Sequence, residues 1–290
     1  MIESVTLPWR FGSIELPAAD RYIREAIAVT GEYCGSELEL YQALLQPGDV
    51  VVDVGANIGV FSIGMALVVG PAGRVIAFEP QPPIFAMLER NLASHGLTQA
   101  EPHRTIVSDH NGEGEFADIR DLPADRQLNF GAVGVGTKVK TSVGGMEPTL
   151  VRCLDTLDLD RCALIKIDVE GSEAAVLAGC PDTLARCRPV LSVECDRPNS
   201  KSPWVDALLS AGYRLWRFRG SPVRSPNPSG AAIEGILPFV SIMVLAVPEE
   251  RIHLLDRVDR SSLQSIDSRA TLERLSRQIV QPSTRDKPSV

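Results

Sequence analysis

Asp53, Gly55, Ala56, Asn57 and Gly59 crowd into one short run, Val51-Val52-Asp53-Val54-Gly55-Ala56-Asn57-Ile58-Gly59. A β-branched stretch gives way there to two glycines. Gly55 permits a tight turn, and Gly59 permits close packing or close approach of a ligand. A helix starting just beyond them would offer unpaired N–H groups. Such a helix end suits the carboxylate of an amino-acid-bearing nucleoside. A second run, Ala77-Phe78-Glu79-Pro80, ends an apolar stretch in an acid. An acid at the end of the second strand can accept hydrogen bonds from both ribose hydroxyls. Together the two runs point to a nucleoside cofactor. A nicotinamide dinucleotide would call for GxGxxG. Here Asn57 stands where a middle glycine would, and no pyrophosphate cradle is apparent.

The third informative run is Leu164-Ile165-Lys166-Ile167-Asp168-Val169-Glu170-Gly171-Ser172-Glu173. On a strand, Lys166, Asp168 and Glu170 share one face. Three charges on a central strand are costly unless paired or used. Ligands in open α/β sheets bind beyond the carboxyl ends of the strands, where Asp168 and Glu170 would lie. Glu194 ends a later apolar run in the same way. Asp168, Glu170 and Glu194 are therefore the candidate general bases. Lys166 reads as a structural partner of Asp53 or Asp168. Asp168 and Glu194 offer oxygens that would suit magnesium or calcium. Nothing in their spacing calls for a metal, and none is expected. The four histidines read as surface or structural groups, with His110 closest to the expected pocket.

The elements that must carry these residues alternate. Strands are expected at Val50–Val54, Arg74–Phe78, Arg104–Ser108, Leu164–Val169, Val190–Glu194, Tyr213–Phe218 and Ile236–Val247. Helices are expected at Arg21–Val29, Ser36–Leu45, Ile58–Val69, Pro82–His95, Ser172–Ala178 and Ser202–Ala211. Strand–helix alternation implies a doubly wound, mostly parallel α/β sheet with right-handed crossovers. The main α/β domain would run over 49–247, after a partly helical extension over 1–48. Asn111–Leu150 is glycine-rich and reads as a β-hairpin insertion or a lid. Residues 248–290 read as amphipathic helices at Arg251–Val258 and Arg269–Val280, with a polar, disordered tail. Leu272, Leu275 and Ile279 form a stripe that either docks on the same chain or makes a homodimer contact.

These runs resemble the FkbM family of methyltransferases. The matching pieces are VVDVGANIGVFS from Val51, VIAFEPQP from Val75, LIKIDVEGSEAAVLAG from Leu164 and Ser192-Val193-Glu194, with a lead-in from Thr30-Gly31-Glu32-Tyr33 to Glu37. The resemblance covers roughly Gly31 to Val247. It implies a class I, Rossmann-like sheet of seven strands with an antiparallel strand near its C-terminal edge. It implies S-adenosylmethionine as cofactor and O-methylation as the usual reaction, on a small molecule, a sugar or a secondary metabolite. On that basis Gly55, Asn57 and Gly59 would wrap the methionine end, with Asp53 and Ala56 beside them. Glu79 and Pro80 would hold the ribose, and Ser108 and Asp109 would lie beside the adenine. Asp168 would sit near the sulfonium or amino group, and Glu37 would close the pocket. Asn111–Leu150 departs from the family, apart from a counterpart near Asn129-Phe130-Gly131, which leaves the acceptor pocket open. N-methylation, a protein acceptor, or a cofactor-binding partner subunit without transfer activity are the alternatives.

Bulk properties narrow the class further. A net charge of −8 weighs against a general nucleic-acid binder. Hydrophobic residues make up 44%, enough for a sizeable core. No apolar run is long and unbroken enough to span a bilayer, and the first ten residues lack a secretory pattern. Six cysteines without a CxxC pair read as reduced thiols of a cytoplasmic protein.

Overall fold

The computed structural model describes residues 2–117, 146–195, 204–234, 236–237 and 240–277. Its centre is an eight-stranded sheet. Strands β3 (Val50–Val54), β4 (Arg74–Phe78), β9 (Leu164–Ile167) and β10 (Val190–Glu194) are its apolar middle. They pair in parallel, with β5 (Ala100–His103) beyond β4. Beyond β10 the sheet turns antiparallel: β12 (Ser241–Pro248) pairs with β10, then β11 (Tyr213–Gly220) and β13 (Gln264–Ile266) follow.

Helices cover both faces, which is why the central strands are apolar on both sides. On one face lie α2 (Gly35–Leu44), α3 (Val60–Val69) and α4 (Pro82–Ser94), whose Leu38, Ile63 and Leu88 share a core with Val51 and Leu164. On the other lie α5 (Glu173–Ala178), α6 (Pro181–Cys187) and α7 (Trp204–Ser210), with Val176, Cys187 and Val205 packed on Val52, Ile165 and Leu191. Period-two alternation thus sends Val52 and Val54 to the second core and leaves Asp53 on the first face.

Several expectations are corrected. The third strand of the main sheet is β5, not Arg104–Ser108. Pro102 is tolerated there because β5 is an edge strand. Its register puts His103 opposite Phe78, and the two rings stack at 5.3 Å. Thr105–Val107 forms β6 in a separate three-stranded sheet with β7 (Gly112–Ala117) and β8 (Met146–Arg152). β7 and the start of β8 are the two ends of the glycine-rich Asn111–Leu150 segment, paired antiparallel. Asn129-Phe130-Gly131 lies outside the described residues. The main sheet has eight strands rather than seven, because β13 from the C-terminal extension adds to β11. Asp168 and Glu170 lie beyond the end of β9, not on it, and Glu170 takes a left-handed φ of 56° in the turn.

The N-terminal extension holds a hairpin that the sequence reading missed, β1 (Ser4–Trp9) and β2 (Gly12–Pro17), before α1 (Tyr22–Thr30). Its alternation of Ile14 and Leu16, both fully buried, was the available signal. Asn91 of α4 grips this hairpin, donating to Glu15 O (2.8 Å) and accepting from Glu15 N (2.8 Å). Residues Glu249–Arg257 form a 3-10 helix rather than an α-helix. α8 (Arg269–Arg277) buries Leu272 and packs Leu275 in its own chain's core; Ile279 and the tail lie outside the described residues.

Candidate functional site

Strand register assembles the site. Asp53 of β3 lies beside Lys166 of β9, and Lys166 lies beside Ser192 of β10. A polar row therefore crosses three strands on one face of an otherwise apolar sheet. The Lys166 ammonium stands 3.6 Å from Asp53 Oδ1 and 3.4 Å from Asp168 Oδ2, with the Phe61 ring 4.9 Å away. Burial opposes its charge, but the carboxylates of Asp168, Asp53 and Glu37 outweigh this and raise its proton affinity. Asp53 is fully enclosed, and its Oδ2 accepts from Ser62 Oγ at 2.6 Å. Asp53 thus supports the crevice from below.

Asp168 is the open member of the row, with 31% of its side chain exposed. Its backbone N–H donates to Val54 O at 3.0 Å. Gly55 sits against the Asp168 carbonyl so closely that a Cβ would lie 1.9 Å from that oxygen. With φ at +83°, Gly55 also occupies a region other residues rarely adopt. The turn after β3 and the turn after β9 therefore form one tightly joined floor. Gly55 and Ala56 both donate to Phe78 O, which anchors the turn to β4. Asn57, at a left-handed φ of 50°, caps its own successor, with Ile58 N donating to Asn57 Oδ1 at 2.7 Å. Gly59 then opens α3.

Glu79 stands at the end of β4, facing this turn. Its Oε2 accepts from Asn57 N (3.0 Å), and its Oε1 accepts from Gln81 N (2.9 Å). Burial pushes its carboxyl up to about 7, against the pull of the Gln81 and Asn57 amides. Pro80 beside it is half-buried.

Glu37, in the first turn of α2, reaches into the same buried region. It accepts a hydrogen bond from Tyr41 Oη, which also bonds Ser192 Oγ at 2.7 Å. Burial raises its carboxyl to about 7; Lys166 and Tyr41 pull it down, while Asp168 and Asp53 push it up. Gly220, at the end of β11, leaves room for it: a Cβ there would come 2.7 Å from Glu37 Oε2.

Asp168, Glu170 and Glu194 converge at the carboxyl ends of β9 and β10, with oxygens within 4.8 Å of one another. Glu173 fixes the turn that carries Glu170, accepting from Gly171 N at 2.9 Å. Ser108 and Asp109 follow β6, the first half-buried and the second exposed; Asp109 Oδ1 accepts from Ser108 Oγ (3.2 Å) and meets His110 Nδ1 at 2.8 Å.

Sequence reasoning missed Tyr41, Ser62, Ser192 and Phe61. Tyr41 sits four residues after Glu37, one helical turn away, and Ser192 is a lone polar residue inside an apolar strand. It also missed an ion-pair network that ties the N-terminal extension to the segment after β11. Arg224 bonds Glu32 (2.7 Å) and Glu39 (2.6 Å), and Arg10 bonds Glu32 at 3.1 Å. Only chain folding joins positions 10, 32, 39 and 224.

A doubly wound sheet with one antiparallel strand inserted beside its last parallel strand, a glycine turn after the first central strand and an acid closing the second define a class I methyltransferase domain. Residues 53–215 match the family model for the methyltransferase FkbM domain, and the chain belongs to that family. It is 33% identical over 203 residues to the 31-O-demethyl-FK506 methyltransferase FkbM of Streptomyces tacrolimicus, covering 59% of this chain and 75% of that protein. It is 32% identical over 233 residues to the AMB antimetabolite synthetase AmbE of Pseudomonas aeruginosa, covering 67% of this chain but 11% of that much longer protein. The methyltransferase sdnD of Sordaria araneosa is 28% identical over 203 residues, covering 61% of this chain and 78% of that protein. The cofactor of this class is S-adenosylmethionine, and the residues present fit it. The Gly55 cradle would be filled by any Cβ, and Glu79 retains lone pairs for ribose hydroxyls.

Proposed function

We propose that this chain transfers a methyl group from S-adenosylmethionine to a hydroxyl of a small molecule, a saccharide or a secondary metabolite. The observation that carries the reading is the Gly55–Gly59 turn closed against the Asp168 carbonyl, with Glu79 facing it from the next strand. Gly55, Asn57 and Gly59 hold the amino-acid end, Glu79 the ribose, and Ser108 and Asp109 the base. The bound cofactor supplies an activated methyl on a sulfonium. The protein's task is then alignment, which can contribute roughly 7–11 kcal/mol to an in-line displacement. One of the crowded carboxylates Asp168, Glu170 and Glu194 takes the proton of the acceptor hydroxyl. The names of the relatives, one a 31-O-demethyl-FK506 methyltransferase and one an AMB antimetabolite synthetase, support a small-molecule acceptor.

No helix among the described residues is long and apolar enough to cross a membrane, and all six cysteines are unpaired thiols, which suits the cytoplasm. Calorimetry with S-adenosylmethionine and S-adenosylhomocysteine tests cofactor binding. Transfer of labelled methyl to a panel of hydroxyl compounds tests the reaction. Binding of a nicotinamide dinucleotide in place of both would overturn the reading.

A further inference from the structure

Buried carboxylates and one ammonium share the volume beneath the crevice. Glu37, Asp53, Glu79 and Glu194 are buried, Asp168 is partly open, and Lys166 is the cation beside Asp53 and Asp168. Full ionisation of Glu37, Asp53, Glu79 and Asp168 would leave negative charge in excess over Lys166 in a region shielded from water, which is costly. The ligand-free site must therefore hold protons. S-adenosylmethionine carries an ammonium, a sulfonium and one carboxylate. S-adenosylhomocysteine is the same molecule without the sulfonium charge.

We propose that Glu37 is the residue by which this site distinguishes the charged cofactor from its spent product, giving up a proton when the cation enters and regaining one when a neutral thioether is left. The inference rests on the cofactor reading above. Glu37 is built for this task by its surroundings. On its own helix it faces the Tyr41 hydroxyl, with the buried Cys34 thiol just before the helix. β9 and the turn beyond it contribute Lys166 and Asp168, and β3 contributes Asp53. β10 contributes the Ser192 hydroxyl that holds Tyr41 and, two residues on along the same face, the buried Glu194 carboxyl; β11 faces it with Gly220, which brings no charge. Tyr41 can donate to a carboxylate or accept from a carboxylic acid, so both forms of Glu37 keep a partner. The buried carboxyl, held up near 7, is poised between those forms at neutral pH.

Glu79 faces the same volume, but it meets the ribose that both ligands share. Its proton exchange cancels when the two ligands are compared. Calorimetry at pH 7 in phosphate and in Tris, whose ionisation enthalpies differ, reads the protons released on binding. The expected result is about half a proton more for S-adenosylmethionine than for S-adenosylhomocysteine, as for a group half ionised at pH 7. Glu37→Gln keeps the Tyr41 contact and should abolish the Glu37 share of that excess, leaving only exchange by the ligand's own amino group. The wild-type protein gives a second readout. The ratio of the product's Kd to the cofactor's Kd should rise about tenfold from pH 6 to pH 8. Equal proton release for both ligands, a flat ratio, or an unchanged excess in Glu37→Gln would each overturn the role of Glu37 while leaving the cofactor reading intact. Failure of both ligands to bind would overturn the two together.

Discussion

Replacing Lys166 with methionine removes the ammonium that Asp53 and Asp168 share while preserving most of the side chain's volume. Asp168 can turn to water, but Asp53 cannot: it is fully enclosed and, among the described residues, keeps the Ser62 hydroxyl as its side-chain hydrogen-bond partner. An orphaned buried charge of this kind costs about 3–5 kcal/mol. The escape route is protonation. Holding an aspartate with an ordinary pKa of about 3.9 neutral at pH 7 costs about 4 kcal/mol, at 1.36 kcal/mol per unit. Burial already raises the Asp53 carboxyl in the intact protein, so part of that cost is present before the change. The expected net loss is therefore about 3 kcal/mol, or a Tm lower by about 6–12 °C. Urea unfolding followed by tryptophan fluorescence is suitable, with three tryptophans in the chain. Two signatures separate this cause from a packing defect. The deficit should shrink by about 1.4 kcal/mol for each unit the pH is lowered towards 5, because the proton Asp53 needs becomes easier to bind. Adding Asp53→Asn should recover most of the loss, because no charge is then orphaned. A deficit under about 1 kcal/mol, one that is the same at pH 5 and pH 7, or no recovery in the double variant would refute the reasoning.

Gly55→Ala places a Cβ on the Asp168 carbonyl, so the turn must open; the affinity for S-adenosylmethionine should fall at least about tenfold by calorimetry, and wild-type affinity would show that this turn does not shape the pocket. Glu79→Gln keeps one acceptor oxygen but loses the charge, and should weaken cofactor binding about tenfold or more. Because burial raises Glu37 and Glu79 to about 7, the folded state binds more protons than the unfolded one between about 4.5 and 7. Stability of the ligand-free protein should therefore fall as pH rises through that window, and saturating cofactor should flatten the Tm profile; a Tm that climbs from pH 5.5 to 7.5 would contradict these two shifts. Arg224→Ala strips a bidentate partner from Glu32 and Glu39 and leaves Glu32 to Arg10, which should cost about 1–3 kcal/mol and loosen the segment after β11; urea unfolding and hydrogen exchange over 221–234 would detect both.

Local sequence determined much of this protein. The β-branched runs ending at Val54, Phe78 and Glu194 are apolar on both faces, and that alone demands strands covered by helices. The turn at Gly55 and the acid at Glu79 were visible because their chemistry is set by neighbours within a few residues. What stayed hidden depends on register. Whether Asp53, Lys166 and Ser192 form one row is decided by how three strands slide against each other; a shift of one residue would send Lys166 to the opposite core. The boundary between β5 and β6 hinged on the Phe78–His103 pairing, which local propensity does not encode. Glu37 read locally as an ordinary acid in a helix's first turn. Only packing of α2 over β9 and β10 withdraws it from water, sets it beside Lys166, and so gives an unremarkable carboxyl a proton it can exchange near neutral pH.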